Sequence, residues 1–163
     1  MLKRVFVLCC ASLLASCATY QPVPKDYVGP TASVRDTGFS EDGTKAQMFA
    51  LTEVDGNRIM NAFWASANAS QGRGASLTTV YPERQVQARA MKVRLEGSHA
   101  TGAPIHAMAS QLAGTFFSVE GVVDFTPKSN GRYAVKGELK KEKSSVWIED
   151  VETGQSVTAV VTK

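Results

Sequence analysis

Few side chains in this sequence stand in company that could do chemistry, and the strongest candidate is a cysteine. Cys17 follows Leu14, Ala15 and Ser16, at the end of a stretch that opens with Lys3 and Arg4 and continues as an apolar run from Val5 to Leu14. The thiol is the strongest nucleophile there, and Ala15 and Ser16 are small enough to lie extended in a peptidase cleft. The run is well short of the roughly 20 apolar residues of a permanent span, so it reads as a signal peptide. Other reactive types are scattered. His99 and His106 are the two histidines, too few for the three or four ligands of a zinc site when no cysteine is free to join them. No metal site is expected. No Gly-x-Ser-x-Gly elbow marks a nucleophilic serine, and no catalytic residue is assigned. Gly72-Arg73-Gly74 lacks the third glycine of a phosphate-binding fingerprint. Arg73 is still the one long cationic donor of its loop, suited to a carboxylate or phosphate. Glu149, Asp150 and Glu152 lack the alternating oxygens of a calcium loop and predict a tight acidic hairpin turn. Lys140, Lys141 and Lys143 with Glu142 predict a solvated turn guarding a hairpin edge.

Leu14-Ala15-Ser16-Cys17 resembles the lipobox of bacterial lipoproteins: an aliphatic residue, two small ones, then an obligatory cysteine. The resemblance implies cleavage before Cys17, a diacylglyceryl thioether on its sulfur and an N-acyl chain on its new amine. One acyl chain binds a membrane marginally, at about 0.8 kcal/mol per buried CH2, whereas two or more hold stably. No other cofactor is expected. Ala18 stands where an Asp would imply retention in the inner membrane, so the same resemblance implies an outer-membrane anchor, with the protein facing the periplasm. On this reading residues 1–16 are a leader, 17–30 a lipidated N-terminus and tether with Pro22, Pro24 and Pro30, and 31–163 the folded domain. Losing Lys3 and Arg4 takes the 18 basic residues to 16 against 15 acidic ones, a net +1. That balance gives no warrant for a nucleic-acid partner. Cys9 and Cys10 leave with the leader and Cys17 carries lipid, so the domain must hold together by packing without disulfides.

The elements of residues 31–163 follow a period of two, which means strands. Alternation is weak over Thr31 to Thr37 and stronger over Ala46 to Val54, where Met48, Ala50, Thr52 and Val54 share one side and Phe49 and Leu51 the other. Asp55-Gly56 is a hairpin signal, because both residue types accept positive φ. Asn57 to Trp64 reads as the returning strand, residues 65–76 as a loop of small polar residues, and Leu77 to Tyr81 as a strand stopped by Pro82. Ala90 to Glu96 alternates most cleanly, with Met91, Val93 and Leu95 opposite Lys92, Arg94 and Glu96. Ile105, Met108, Ala109 and Leu112 instead sit at helical spacing between Pro104 and Gly114, predicting a three-turn helix that crosses over or plugs a sheet end. Strands resume with Phe117, Val119, Gly121, Val123 and Phe125 on one face, then Tyr133, Val135, Gly137 and Leu139, and finally Val146 to Glu149 paired with Gln155 to Val161. The class is mainly β: an antiparallel β-sandwich or partly open barrel with one short helix.

Four segments, Phe-Ala-Leu-Thr-Glu-Val-Asp-Gly at 49–56, Leu-Glu-Gly at 95–97, Tyr-Ala-Val-Lys-Gly-Glu-Leu at 133–139 and Ser-Val-Trp-Ile-Glu-Asp at 145–150, together with the lipobox, resemble a group of small uncharacterised proteobacterial lipoproteins. The resemblance carries no known activity and transfers no catalytic residue. The order of a strand, a Val-Asp-Gly turn and a late Tyr-x-Val strand more distantly resembles PEGA domains, accessory β-modules with an Ig-like sandwich. The function expected is a non-enzymatic, lipid-anchored binding or scaffolding module of the cell envelope, its partner an unknown envelope protein or polymer. Its contact surface is expected at Trp64 and the loop of Arg73, since an outward Trp beside a mobile loop is a reasonable anchor. The alternatives are an envelope hydrolase acting on peptidoglycan or lipid, and a small-ligand carrier with an apolar cavity in the β-shell.

Overall fold

The computed structural model describes residues 19–163; the expected leader, Cys17 and Ala18 lie outside the described residues. Alternating strands bury one face each, and here they do so against one another in two sheets. The first contains β1 (Thr31–Arg35), β5 (Glu83–Gln87), β8 (Arg132–Glu138), β9 (Ser145–Asp150) and β10 (Val161–Thr162), in the order β10-β9-β8-β1-β5. The second runs β2 (Thr37–Ser40), β3 (Lys45–Val54), β6 (Met91–Thr101), β7 (Ser118–Phe125), with the two-residue β4 (Asn57–Arg58) beside β3. The result is the mainly β, sandwich-like class expected, and it does not close into a barrel. All strand pairs are antiparallel except β1 with β8, which run parallel.

The core lies between the sheets. Val93 and Leu95 of β6, Val119 and Phe125 of β7, Val135 of β8 and Ile148 of β9 meet in a single buried cluster. Phe49 of β3 fills a space that two glycines leave open. A Cβ on Gly97 would stand 2.9 Å from its ring, and one on Gly137, from the opposite sheet, would come closer still. The packed region also reaches upstream of the strands: Tyr20 packs against this cluster and Pro22 is buried. The Pro-rich segment is therefore not a free rod over its whole length.

β1 and β2 form one strand that changes sheet at Asp36. Beyond the pair Thr37 with Phe49, β3 loses β2 as a partner because the chain has turned into the first sheet. The fully buried Asp36 carboxylate takes over as acceptor. It accepts the Leu51 amide at 3.0 Å and the Ala62 amide at 2.8 Å, and the Arg84 guanidinium grips it from β5 at 2.8 and 2.6 Å. Burial pushes this carboxyl above its ordinary value, opposed by Arg84 and the two amides. Every acceptor site is used, as a buried ion needs.

Five expectations need correction. Asp55 and Gly56 do turn the chain with φ of 48° and 79°, but the returning strand stops at Arg58. Residues expected as strand and loop instead form helix α1 (Ala62–Ser70), whose Asn61 cap accepts the Phe63 and Trp64 amides at 3.1 and 3.2 Å. Alanines and serines let this helix lie close against the sheet, a tertiary gain that hydrophobic periodicity does not register. Leu77 to Tyr81 joins no strand; Leu77 and Tyr81 lie over the outer face of β3, and the strand β5 begins after Pro82. Val54 sits on the Phe49 side, because a bulge between Leu51 and Glu53 inserts one residue and reverses the alternation. Helix α2 (Pro104–Leu112) forms as expected, and Gly114 ends it with φ of 64°. It plugs nothing. Ile105, Met108 and Leu112 are 64, 58 and 89% exposed and no α2 residue is buried. Around His99, at that end of β6, the space is filled by the rings of Phe116 and Phe117, centred 5.6 and 5.7 Å from the imidazole.

Candidate functional site

The outer face of the second sheet is treated differently on its two halves. On the β3 side, Met48 and Ala50 are covered by Ala62 and Phe63 of α1 and by Leu77 and Tyr81. On the β6–β7 side α1 stops, and most of the side chains pointing outward are charged, with Val122 and Ser98 among them. Strand register sets them in rows. Ala50, Glu96 and Glu120 lie side by side across β3, β6 and β7, and Glu53, Arg94 and Val122 form the next row. Between this floor and the helix runs a groove of about 850 Å³, with Phe63 and Trp64 of the first turn of α1 as its wall. Arg58, Asn61 and Ser98 also line it.

Two local features build the groove. The β3 bulge turns Glu53 outward, where Arg94 Nε donates to it at 2.9 Å and Arg58 approaches at 3.8 Å. The Asn61 cap and the Asp36 carboxylate fix the N-terminus of α1, which sets Trp64 above the floor, half exposed. Arg94 reaches the other way toward Glu120 at 4.0 Å. Its hydrogen bond to Glu53 holds its proton more firmly than usual. Glu96 is different. Burial raises its carboxyl above the ordinary value, the neighbouring Glu120 charge adds to this, and Arg94 offsets part of it without touching it. Among the described residues it has no ion-pair partner. Two facing carboxyls beside a guanidinium offer hydrogen-bond acceptors and a donor at adjacent positions.

The two contact residues expected from sequence part company. Trp64 lines the groove, on a helix rather than a strand. Arg73 lies outside it, exposed in the turn after α1 between Gly72 and Gly74, both at positive φ. His99, discounted as a metal ligand, is 4% exposed. Its Nδ1 accepts the Phe117 amide at 3.0 Å, and Nε2 lies 2.9 Å from Glu41 Oε1. Both ring nitrogens are engaged, so it clasps the β2–β3 turn to the start of β7. Burial works to raise the Glu41 carboxyl, but hydrogen bonds from Gln47, Lys45 and His99 bring it below its ordinary value. His106 sits apart on α2. Among the described residues no group of three or more His, Cys, Asp or Glu is placed to hold a metal ion, and no helix is long and apolar enough to cross a membrane. The acidic turn is as expected: Asp150 accepts the Glu152 and Thr153 amides at 2.9 and 3.1 Å.

Sequence reasoning missed Arg94, Glu96 and Glu120. The only signal was that the solvent side of a cleanly alternating strand carries charge on successive outward positions. Comparison with known proteins gave no matching family model, no matching curated protein and no matching solved structure.

Proposed function

We propose that this chain is a lipid-anchored binding module of the bacterial cell envelope, without enzymatic activity. It is held to the outer membrane on its periplasmic side through acyl chains on Cys17, and engages an envelope protein or polymer through the Trp64 groove. The lipobox-like Leu14–Cys17 motif supports the anchor. The observation that carries the binding role is the half-covered outer face of the second sheet. A helix that could have sealed this face stops short and leaves an open groove with an exposed tryptophan on its rim. Scattered exposed apolar residues are ordinary on a protein surface, but an aromatic wall over a row of charges is a recognition surface.

The anchor is tested by feeding cells an alkyne-bearing fatty acid. Label should appear on the wild-type chain and vanish with Cys17→Ser, which should also leave the membrane fraction. The binding role is tested by placing a photo-crosslinking residue at position 64 or, as a control, at position 141 in living cells. A discrete adduct from position 64 and none from 141 is expected. Identical products from both positions would remove the groove from consideration.

A further inference from the structure

The lining of the groove, and not only its position, narrows the ligand. We infer that the groove is a saccharide site: Trp64 offers an aromatic face to a sugar ring while Arg94, Glu96 and Glu120 meet its hydroxyls. This rests on the groove being the binding surface, and adds the chemical class of what it takes.

Three features argue for a neutral polyhydroxyl ligand. Trp64 is 51% exposed on the first turn of a capped helix, so its backbone is fixed while much of its side chain stays wet. A half-wet indole suits the C–H face of a pyranose, whose burial is apolar while its hydroxyls remain free to hydrogen bond. Second, donors and acceptors alternate along the floor. The Arg94 guanidinium stands between Glu53 and Glu120, with Glu96 one register row away. Adjacent sugar hydroxyls, each donor and acceptor, can satisfy such a mixed row. A cationic peptide would be drawn to the carboxylates but would meet the guanidinium set among them, and an anion would meet Glu96 and Glu120. Third, the half-buried Glu96 carboxyl lacks a partner among the described residues, and burying it further would be costly unless the ligand brought a hydrogen bond. The groove is open along the sheet and not a closed pocket, which suits a chain of sugars lying across β6 and β7.

The test uses the full chain in detergent micelles with Trp147→Phe, which makes Trp64 the sole remaining tryptophan of the two. Its fluorescence is titrated with three neutral hexasaccharides (β-1,4-linked glucose, α-1,4-linked glucose and β-1,4-linked N-acetylglucosamine) and with pentalysine. At least one hexasaccharide should give a saturable change with a dissociation constant of about 1 mM or tighter, little altered by ~0.5 M salt. By calorimetry on otherwise wild-type protein, Trp64→Ala should weaken binding about tenfold or more. Lys141→Ala, outside the groove lining, should stay within about twofold of wild type, and Glu96→Ala, which removes an acceptor for the hydroxyls, should weaken binding about threefold or more. Failure of all three sugars on a protein with wild-type circular dichroism overturns the saccharide assignment. So does salt-sensitive pentalysine binding lost in Glu96→Gln. Either result leaves the groove's role to the crosslinking experiment, which fails or succeeds independently.

Discussion

The two helices are alike in length, nine residues each, and opposite in everything that holds them. α1 has a side-chain cap at Asn61, a second tie from its Ala62 amide to a buried carboxylate, and a sheet face beneath it. α2 begins at Ala103 without a side-chain cap and buries none of its residues. Yet α2 carries the regular apolar stripe, and α1, Ala-Phe-Trp-Ala-Ser-Ala-Asn-Ala-Ser, reads as the end of a strand running into a polar loop. The difference teaches that a stripe states what a helix would bury, whereas small residues state how closely it can approach.

That contrast can be broken by substitution. The largest effect is expected at the joint under α1. Asp36→Ala leaves the Arg84 charge without its counterion and two amides without an acceptor, and should cost about 3–5 kcal/mol, seen as a collapse of the urea midpoint. Met48→Ala opens a hole between β3 and the helix. It should cost about 2–5 kcal/mol, toward the lower end if Phe63 and Leu77 settle into the gap. Asn61→Ala removes the cap and should cost about 1 kcal/mol, while speeding amide exchange at Phe63 and Trp64. Glu96→Gln should act in the opposite direction and depend on pH. With its carboxyl raised above 4.5 in the folded chain, the folded state holds more protons than the unfolded one as pH climbs past that value, so stability falls across the window. The amide has no charge to bury. The variant should melt slightly higher at neutral pH, by about 0.5 kcal/mol or less for a group partly screened by solvent, with no gain well below pH 4.5. Leu112→Ser in α2 should be the smallest, within about 0.5 kcal/mol of wild type. A large loss there would mean that the exposed stripe is covered after all and would erase the contrast between the helices.

What the sequence made legible follows from which physical signals are local. Strands with one buried face announce themselves, and Met91, Val93 and Leu95 lie in the core as their alternation demands. The Asp55-Gly56 turn is legible because positive φ restricts residue choice on the spot. Alternation alone places Val54 on the wrong face, because a bulge is a property of two strands and leaves no mark on one. The site was half legible. Trp64 stood out as a large ring among small residues, but Glu96 and Glu120 acquire meaning only when β6 and β7 place them opposite each other. Nothing local marks Asp36 for burial, which depends on Arg84, 48 residues away.

The bend at Asp36 also decides how the molecule bears load. A pull from the N-terminal side must first peel Tyr20 and Pro22 from the body and then draw on β1. That strand is gripped on both flanks, by β5 across five register pairs and by β8 across three, and its far end is bolted by a guanidinium fork to the neighbouring strand. Tension along its axis has to shear both ladders together, whereas the two-residue β10 at the opposite margin would unzip one pair at a time. A short slack followed by a firm stop is the mechanical response built into a strand that belongs to both sheets.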